Sequence, residues 1–577
     1  MASIAEKTTS LGYANALHLL RRATYRPTKA MANTFASMTP AQALDQLFTF
    51  TAHPLPKPIK KEDGTTQYFP DFNNPSITYD ATYDGDAAAE IINFWMYNCM
   101  KSSTIQWKLS VFLHSIFITN YSYVSTSFDY LSLLLLYSNK SIKELAYKIT
   151  LNPQMLAYLS NNSNTKNSPN QNYAREFLEL FTILKGPQVA AGDYTNYTEQ
   201  DVQQAARILS GFRAVYGNTN RMNYLDKGAT NNTAGHAPNP SSSIAGWTFA
   251  TTNIPTGICV TSLHDTGNKT FSGSFGGQTI NGSNTLTGTY TVYDELQAFI
   301  NMIFSQNETA KNYARRIYRF FVKSEITAEV EADIITPMAT NLLTSQNGVT
   351  YNLESTVRLL LKSKHFYDED DSIAKDENFG AKVKSPLDLL LNFASEANIT
   401  MGSPVSNPLH YYNYFNTLRY RCAISGMDFF NPVNVFGYPG YSDGPDYDKN
   451  WVTIATLNQR YYCGWVETYL NGYNTGGFNA RLDTPEFVRT SGNFTNPTNV
   501  PLFMEELFDM FFCSNPQGLR YGYFENALLN GLSAANWANT WNLWMADLTN
   551  TTKKNNVRIA LDRLFKAIMK SVEYQVM

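Results

Sequence analysis

The chain has 577 residues, of which 43% are hydrophobic, 14% aromatic and 16% charged, and its formal net charge at pH 7 is −3. This balance argues against nucleic acid as a partner, because no basic surface is available to neutralise phosphates. No apolar run approaches the roughly 18 residues of a membrane span, and the opening segment MASIAEKTTS lacks the basic and apolar regions of a signal peptide. Most of the aromatic rings are expected to fill the core, and others suit contacts with sugars or proteins.

Helix-start signals recur along the chain. A hydroxyl residue stands where it can cap the first turn, and three residues later a side chain can reach back to it. The predicted N-cap residues of this kind are Thr39, Ser141, Ser168, Thr198 and Ser385. After Ser168 the apolar residues follow helical spacing, in a stripe formed by Tyr173, Phe177, Leu180, Phe181 and Leu184. The sequence therefore predicts a mainly α-helical protein.

The stretch from about Tyr216 to Tyr293 is different, because it is rich in Gly, Asn, Thr and Ser and contains short β-prone pieces. These pieces are Trp247–Thr251 and Thr287–Tyr293. We interpret the stretch as a loop-and-strand insertion on a large multi-helical body. The predicted units are an N-terminal helical part (1–215), the insertion (216–295), a helical part that continues the same body (296–465) and a C-terminal helical extension (466–577).

Several segments together resemble a bacterial family known as domain of unknown function 1800. The two strongest are NQNYAREFLELFT (170–182) and TEQDVQQAARILSGF (198–212). Further blocks in the family's order are HLLRRATYRPT (18–28), HDTGNKTFSG (264–273), RRIYRFFV (315–322), VKSPLDLLL (383–391), NPVNVFGYPG (431–440) and NWVTIATLNQR (450–460). The resemblance runs from about residue 11 to about residue 460, and the remainder matches poorly.

The resemblance implies an uncharacterised bacterial protein that is often exported, and hence an extracellular or cell-surface location. Family members are frequently encoded beside a second family similar to sulfatases, which makes a sulfatase-like protein a candidate partner. No reaction and no cofactor is implied. The family commonly has a Trp-His-Asn-His-Phe block, whereas the matching stretch here is Leu113–Phe117, with Ile116 in place of the second histidine. No metal is therefore predicted.

The richest group of ionisable residues is Arg175, Glu176 and Glu179. The two carboxylates lie within one helical turn and can face a common pocket as acid and base. Alternatively, the three residues belong to a structural ion network that positions helices. The candidate partners in that network are Arg21, Arg22 and Arg315.

A second candidate group lies in a Gly-rich loop, where binding residues often occur. His264 and Asp265 are neighbours and Lys269 follows, so the three could form a binding site, in which a carboxylate raises the basicity of the imidazole. A capping or turn role for Asp265 is the alternative. His114 stands on an apolar helix, where a histidine is more often a core residue than a ligand.

Known catalytic motifs are absent from the sequence: there is no G-x-S-x-G elbow, P-loop, H-E-x-x-H or dinucleotide fingerprint. The tract 441–450 alternates Asp446, Asp448 and Asn450 as a calcium loop begins, but Trp451 and Leu457 occupy the positions of the required Gly and Glu. We interpret the tract as a solvated acidic turn.

Two functions remain open. The first is a non-catalytic, surface-associated or assembly protein, a scaffold that binds a protein or glycan partner. The second is a hydrolase or metal-assisted oxidoreductase that acts on an extracellular polymer. The candidate catalytic residues for the second are Glu176, Glu179, His114 and His264.

Overall fold

The computed structural model describes most of the chain: residues 2–50, 65, 85–121, 124–214, 259–286, 288–346, 348–371, 377–399, 402–442, 444–462, 473–475, 478–480 and 482–577. In these ranges the protein is mainly α-helical, as the capping signals and helical spacing predict.

Helices follow one another from the beginning of the chain. In the first part they are Gly12–Ala23, Lys29–Ala36, Pro40–Leu47, Gly85–Lys101, Gln106–Ile116, Val124–Leu136, Ile142–Thr150, Pro153–Tyr158, Asn172–Glu176 and Glu199–Ile208. In the middle they are Val292–Phe304, Asn307–Phe321, Ala328–Val330, Thr336–Leu343, Leu353–Leu361, Pro386–Glu396, Pro408–Ile424, Pro439–Ser442 and Ile454–Tyr462. The last are Thr484–Thr490, Val500–Phe511, Gly518–Leu529, Ala534–Met545, Thr551–Met569 and Val572–Gln575.

The strands described are short and form three antiparallel pairs. Gln188–Ala190 pairs with Asp193–Tyr194, Lys269–Thr270 with Thr279–Ile280, and Tyr473–Thr475 with Phe478–Ala480. In the second pair, Lys269 stands opposite Ile280. These strand pairs are small additions to the mainly helical structure.

Four of the five predicted N-cap residues are confirmed: Thr39, Ser141, Thr198 and Ser385 each accept a hydrogen bond from the backbone three residues on. The prediction for Ser168 is wrong, since the helix begins at Asn172. The Ser168 amide donates to Thr165 Oγ1 at 3.1 Å, and the Asn170 side chain accepts from the Asn172 amide at 2.9 Å. A polar turn therefore takes the place of the predicted first helical turn, and the helix begins at Asn172.

The predicted insertion contains both strand and helix where it is described. The β-prone piece Trp247–Thr251 lies outside the described residues. The second β-prone piece is described from Gly288 onwards, and there the β prediction is wrong, because Val292 begins a helix whose N-cap, Thr291, forms a capping box with Asp294. Valine and tyrosine favour strands in isolation, but the capping box and the buried apolar face behind it decide the outcome.

The core is continuous from the first helices to the last. The Phe393 ring stacks on Phe511, with ring centroids 5.6 Å apart, and Phe511 in turn lies edge-on to Phe565 at 6.2 Å. The Tyr574 hydroxyl donates to the Leu389 carbonyl at 3.1 Å. Helices from the predicted C-terminal extension thus pack directly on the middle of the chain. Within the described ranges, no helix has the length and hydropathy needed to cross a bilayer.

Candidate functional site

A π-helical turn, Phe177–Phe181, follows the helix Asn172–Glu176 without a break. The wider turn brings Phe177, Leu178 and Phe181 into the core and leaves Glu179 on its outer side. The Thr182 hydroxyl donates to the Phe177 carbonyl at 2.6 Å, which satisfies an acceptor at the end of the turn. Single π-turns inside helices are frequent at functional sites.

The chain leaves this turn in an unusual conformation. Leu184 has φ +64°, in the left-handed region that non-glycine residues seldom adopt. Its amide donates to the Leu178 carbonyl at 3.0 Å, so the reversal is fixed by a backbone hydrogen bond. The reversal turns Lys185 back towards Glu179. Backbone held in a sparsely populated region is common beside ligand sites.

Beside the π-turn lies a cavity of about 400 Å³. Its walls come from the helices Gln106–Ile116 and Asn307–Phe321, from the π-turn and from the segment 435–448. The apolar lining includes Phe112, Ile116, Leu180, Leu184, Phe320, Val435, Phe436, Tyr441 and Tyr447. The polar and charged lining includes Ser115, Glu179, Lys185, Asn312, Arg316, Arg319, Ser442 and Asp448. A mostly apolar concavity with a few convergent polar groups is the usual form of a small-ligand site.

The two candidate glutamates differ in their surroundings. Glu179 pairs with Lys185 and accepts a hydrogen bond from the Tyr197 hydroxyl at 3.2 Å. Glu176 is not among the residues that line the cavity, and burial raises its pKa to about 7, with the charge of Glu179 adding to the effect. Glu176 is therefore partly protonated at neutral pH.

The arginines of the predicted ion network have other partners. Arg175 forms an ion pair with Glu199 at 2.9 Å, and Arg315 pairs with Glu331 at 2.5 Å. Glu308 is a second acidic partner of Arg315, at 3.2 Å. The ion pairs described here therefore differ from the predicted combination of Arg175 and Arg315 with the two glutamates.

The other arginines named as candidate partners bind backbone carbonyls. Arg21 donates to the carbonyls of Phe512 at 2.8 Å and Met510 at 2.9 Å. Arg22 donates to the carbonyl of Asn378 at 2.9 Å. Both arginines thus connect the first helix to distant parts of the chain.

His264, Asp265 and Lys269 meet in a buried network. His264 Nε2 lies 3.1 Å from one Glu295 oxygen, and Lys269 bonds the other oxygen of that carboxylate. Asp265 forms two hydrogen bonds to Arg207, at 2.9 and 3.0 Å. The side chains of His264, Lys269 and Glu295 are 0% exposed. The network anchors the Gly-rich hairpin to the helix Val292–Phe304, and sequence reasoning missed its central member, Glu295.

His114 is fully buried among aromatic rings. Its Nδ1 lies 3.4 Å from the Tyr130 hydroxyl and its Nε2 3.3 Å from the Tyr438 hydroxyl. Burial lowers the pKa of His114 to about 3, so the ring is neutral at physiological pH. Neither His114 nor His264 lines the cavity, but Ile116, at the position of the family's second histidine, does. The structure therefore does not bring the four candidate catalytic residues together.

The acidic tract 441–450 is only partly solvated. Asp446 is exposed, but the prediction of a solvated turn is wrong for Asp448, which is 2% exposed. The reason is tertiary: one Asp448 oxygen accepts from the Val383 amide at 2.6 Å, across the core. The other oxygen has no hydrogen-bond partner among the described residues and belongs to a side chain that lines the cavity. Within the described ranges, no group of three or more His, Cys, Asp or Glu side chains is placed to hold a metal.

Two cavity residues, Arg316 and Arg319, were not predicted. They are three residues apart on the helix Asn307–Phe321, a spacing that places both side chains on one face. The segment RRIYRFF carries this signal, but only the tertiary structure shows which of its arginines face the cavity.

The model of a family described as "Protein of unknown function (DUF1800)" matches residues 18–576 of the chain. No curated protein and no solved structure matches the chain. The match extends through the C-terminal helices, so the prediction that the resemblance fades after about residue 460 is wrong; those helices lack the recognisable short blocks but are part of the shared sequence. The chain belongs to the DUF1800 family of proteins of unknown function.

Proposed function

We propose that this protein is a non-catalytic, surface-associated binding protein that takes a glycan in the cavity beside the π-turn. The single observation that carries the proposal is the lining of the cavity, which combines aromatic rings with hydrogen-bonding side chains. Sugar rings have an apolar face that packs on aromatic rings and an equatorial belt of hydroxyl groups that needs polar partners. The cavity offers both kinds of wall in one site.

The mouth of the cavity supports the same assignment. Phe436 lines the cavity and is 48% exposed, so its ring is accessible to a ligand. Tyr441 and Tyr447 continue the aromatic wall inwards. Asn312 is fixed by donating to the Thr182 carbonyl at 2.6 Å, and Glu179 is fixed by Lys185. The polar groups are therefore oriented before a ligand arrives, which lowers the entropic cost of binding.

The test is binding of the full chain to an array of bacterial surface and extracellular glycans, followed by calorimetry on those retained. Replacement of Phe436 by alanine should weaken binding about three- to tenfold, the range expected when one aromatic contact is lost. Tyr420→Ala is the matched control, because Tyr420 is 59% exposed and does not line the cavity. The proposal fails if no glycan is retained, or if the two variants bind alike.

One observation favours the alternative, a hydrolase acting on an extracellular polymer. Glu176 and Glu179 are neighbouring carboxyl groups; burial raises the pKa of Glu176 to about 7, as a general acid at neutral pH requires, and Glu179 is paired with Lys185. The glycans recovered after incubation distinguish the two functions. Shortened products from the wild-type chain, lost in Glu176→Gln with binding retained, would establish the hydrolase instead.

A further inference from the structure

Two arginines in the cavity wall lack an acidic partner. In the described part of the chain, neither Arg316 nor Arg319 has a carboxylate oxygen within 4.0 Å of its guanidinium nitrogens, although the nearby Arg315 has two partners. Glu331 acts on Arg319 at longer range, but its own hydrogen bonds go to Arg315. Half-buried arginines usually have a paired anion, because desolvation of an unpaired charge is costly.

The pair is also electrostatically unfavourable in the absence of a ligand. Burial lowers the pKa of Arg316, and the positive charge of Arg319 lowers it further. Burial likewise lowers the pKa of Arg319, and here the repulsion comes from Arg315. The remaining cation of the cavity, Lys185, is neutralised by Glu179. The Asp448 carboxyl group also lines the cavity, but it bonds the Val383 amide and lies more than 4.0 Å from both guanidinium groups. Arg316 and Arg319 are thus the cations of the described lining that have no acid in contact.

Both guanidinium groups are held in place by neutral groups. Arg316 donates from Nε to Asn312 Oδ1 at 3.1 Å and from Nη2 to the Leu180 carbonyl at 2.7 Å. Arg319 donates from Nε to the Ser324 carbonyl at 3.3 Å, and its guanidinium lies 4.2 Å above the Tyr447 ring. These contacts orient the side chains but leave Nη1 of Arg316 and both terminal nitrogens of Arg319 without a hydrogen-bond acceptor among the described residues.

We propose that Arg316 and Arg319 form an oxyanion subsite of the cavity, so that the ligand carries a carboxylate or a sulfate or phosphate ester. This inference rests on the proposed glycan-binding function and deepens it: the glycan is acidic. A planar guanidinium matches the two oxygens of such a group with parallel hydrogen bonds. The ring that bears the group would then pack on aromatic side chains of the same cavity, Tyr447 and Phe436.

The test uses the full chain and three probes at constant ionic strength: sodium glucuronate, sodium sulfate and neutral glucose. Calorimetry should show binding of glucuronate, sulfate or both, and at least tenfold weaker binding in Arg316→Gln and in Arg319→Gln. Arg26→Gln is the matched control, since Arg26 also lacks a carboxylate partner in the described structure, donates to the Lys101 carbonyl, and lies away from the cavity. Response to glucuronate alone identifies a carboxylate, and response to sulfate alone a sulfate-like ester.

A measurement on the wild-type chain covers the case in which a glutamine variant fails to fold. Phenylglyoxal modifies accessible arginines, and peptide mass spectrometry reads each site separately. The bound anion should slow modification of Arg316 and Arg319 at least fivefold and leave Arg26 unchanged. If neither anion binds or protects, or if the glutamine variants bind anions as the wild type does, the oxyanion subsite is refuted. Retention of neutral glycans in that case would leave the proposed glycan-binding function intact.

Discussion

Glu176 shows how burial of one carboxyl group makes folding depend on pH. Its pKa is about 7 in the folded protein, against 4.5 as the ordinary value. Between these two pH values the folded state binds more protons than the unfolded state, so this residue makes the free energy of unfolding fall as pH rises. Its contribution is absent below about pH 4.5, where both states are protonated, and complete above pH 7.

Replacement of Glu176 by glutamine should therefore stabilise the protein at neutral and alkaline pH. One pKa unit corresponds to about 1.4 kcal/mol, but the side chain is only partly buried, so we expect roughly 1–2 kcal/mol at pH 8 and almost no change at pH 4.5. Urea unfolding of both chains at a series of pH values measures the difference. Glu505→Gln, at an exposed position, should give no such trend. A constant difference at every pH would contradict the assignment of the raised pKa to Glu176.

The sequence could predict the burial of some residues but not the partners of others. The buried state of His114 follows from the apolar helix around it, and the structure places it among rings as expected. The partner of Lys269 could not be predicted, because Glu295 is 26 residues away and reaches it only through the fold. The sequence also could not predict that Arg316 has no acidic partner among the described residues. That depends on which acidic side chains the fold brings close to it.

At the scale of elements, two capping boxes of similar sequence have different tasks. The contacts between Thr39 and Gln42 are exposed, and the two side chains bond only each other. Asp201 closes the box with Thr198, and it also accepts from the Ser272 amide at 2.7 Å and the Ser272 hydroxyl at 2.6 Å. Asp201 is 0% exposed, so its carboxylate joins a helix start to the hairpin loop within the core.

We expect this difference to appear directly in stability. Gln42→Ala should cost about 0.5 kcal/mol, the value of one exposed capping contact. Asp201→Ala should cost roughly 2–3 kcal/mol, because it leaves buried donors of Thr198 and Ser272 without acceptors. Thermal or urea unfolding of both variants compares the two boxes on a common scale. Equal losses would mean that the Ser272 contacts add nothing to stability.

Helix starts are predictable because a capping box lies within four residues and needs no tertiary partner. The π-turn is not, since Phe177–Phe181 has the composition of an ordinary helix and gains its extra residue from packing. Ser168 failed as an N-cap for a related reason: the polar side chains of its neighbours offered a competing turn. The candidate cavity combines the π-turn with segments more than 100 residues away along the chain, so the sequence could predict Glu179 but not what surrounds it.

For the whole molecule, the last residues of the chain connect its beginning and its middle. The Met577 amide donates to the Lys382 carbonyl at 2.8 Å, and the Gln575 carbonyl accepts from the Lys384 amide at the same distance. Arg22, which is 0% exposed, donates to the Met577 oxygen at 2.5 Å. Arg460, also buried, donates from Nε to the Gln575 side chain at 3.1 Å. The segment 572–577 thus supplies a hydrogen-bond acceptor to each of two buried guanidinium groups from distant helices.

Removal of residues 572–577 should therefore destabilise the whole protein and not only its end. A buried donor left without its acceptor typically costs roughly 1–3 kcal/mol, and more when the donor is charged; here two arginines lose an acceptor together. Amide hydrogen exchange should report the loss as faster exchange in the helix Gly12–Ala23, which carries Arg22 at the opposite end of the sequence. Val572→Ala provides the matched control, since Val572 lies in the same segment but is 59% exposed. Because the family match reaches residue 576, we expect this connection to be part of the family's fold; unchanged protection of the first helix after truncation would show that the helical body is held together without it.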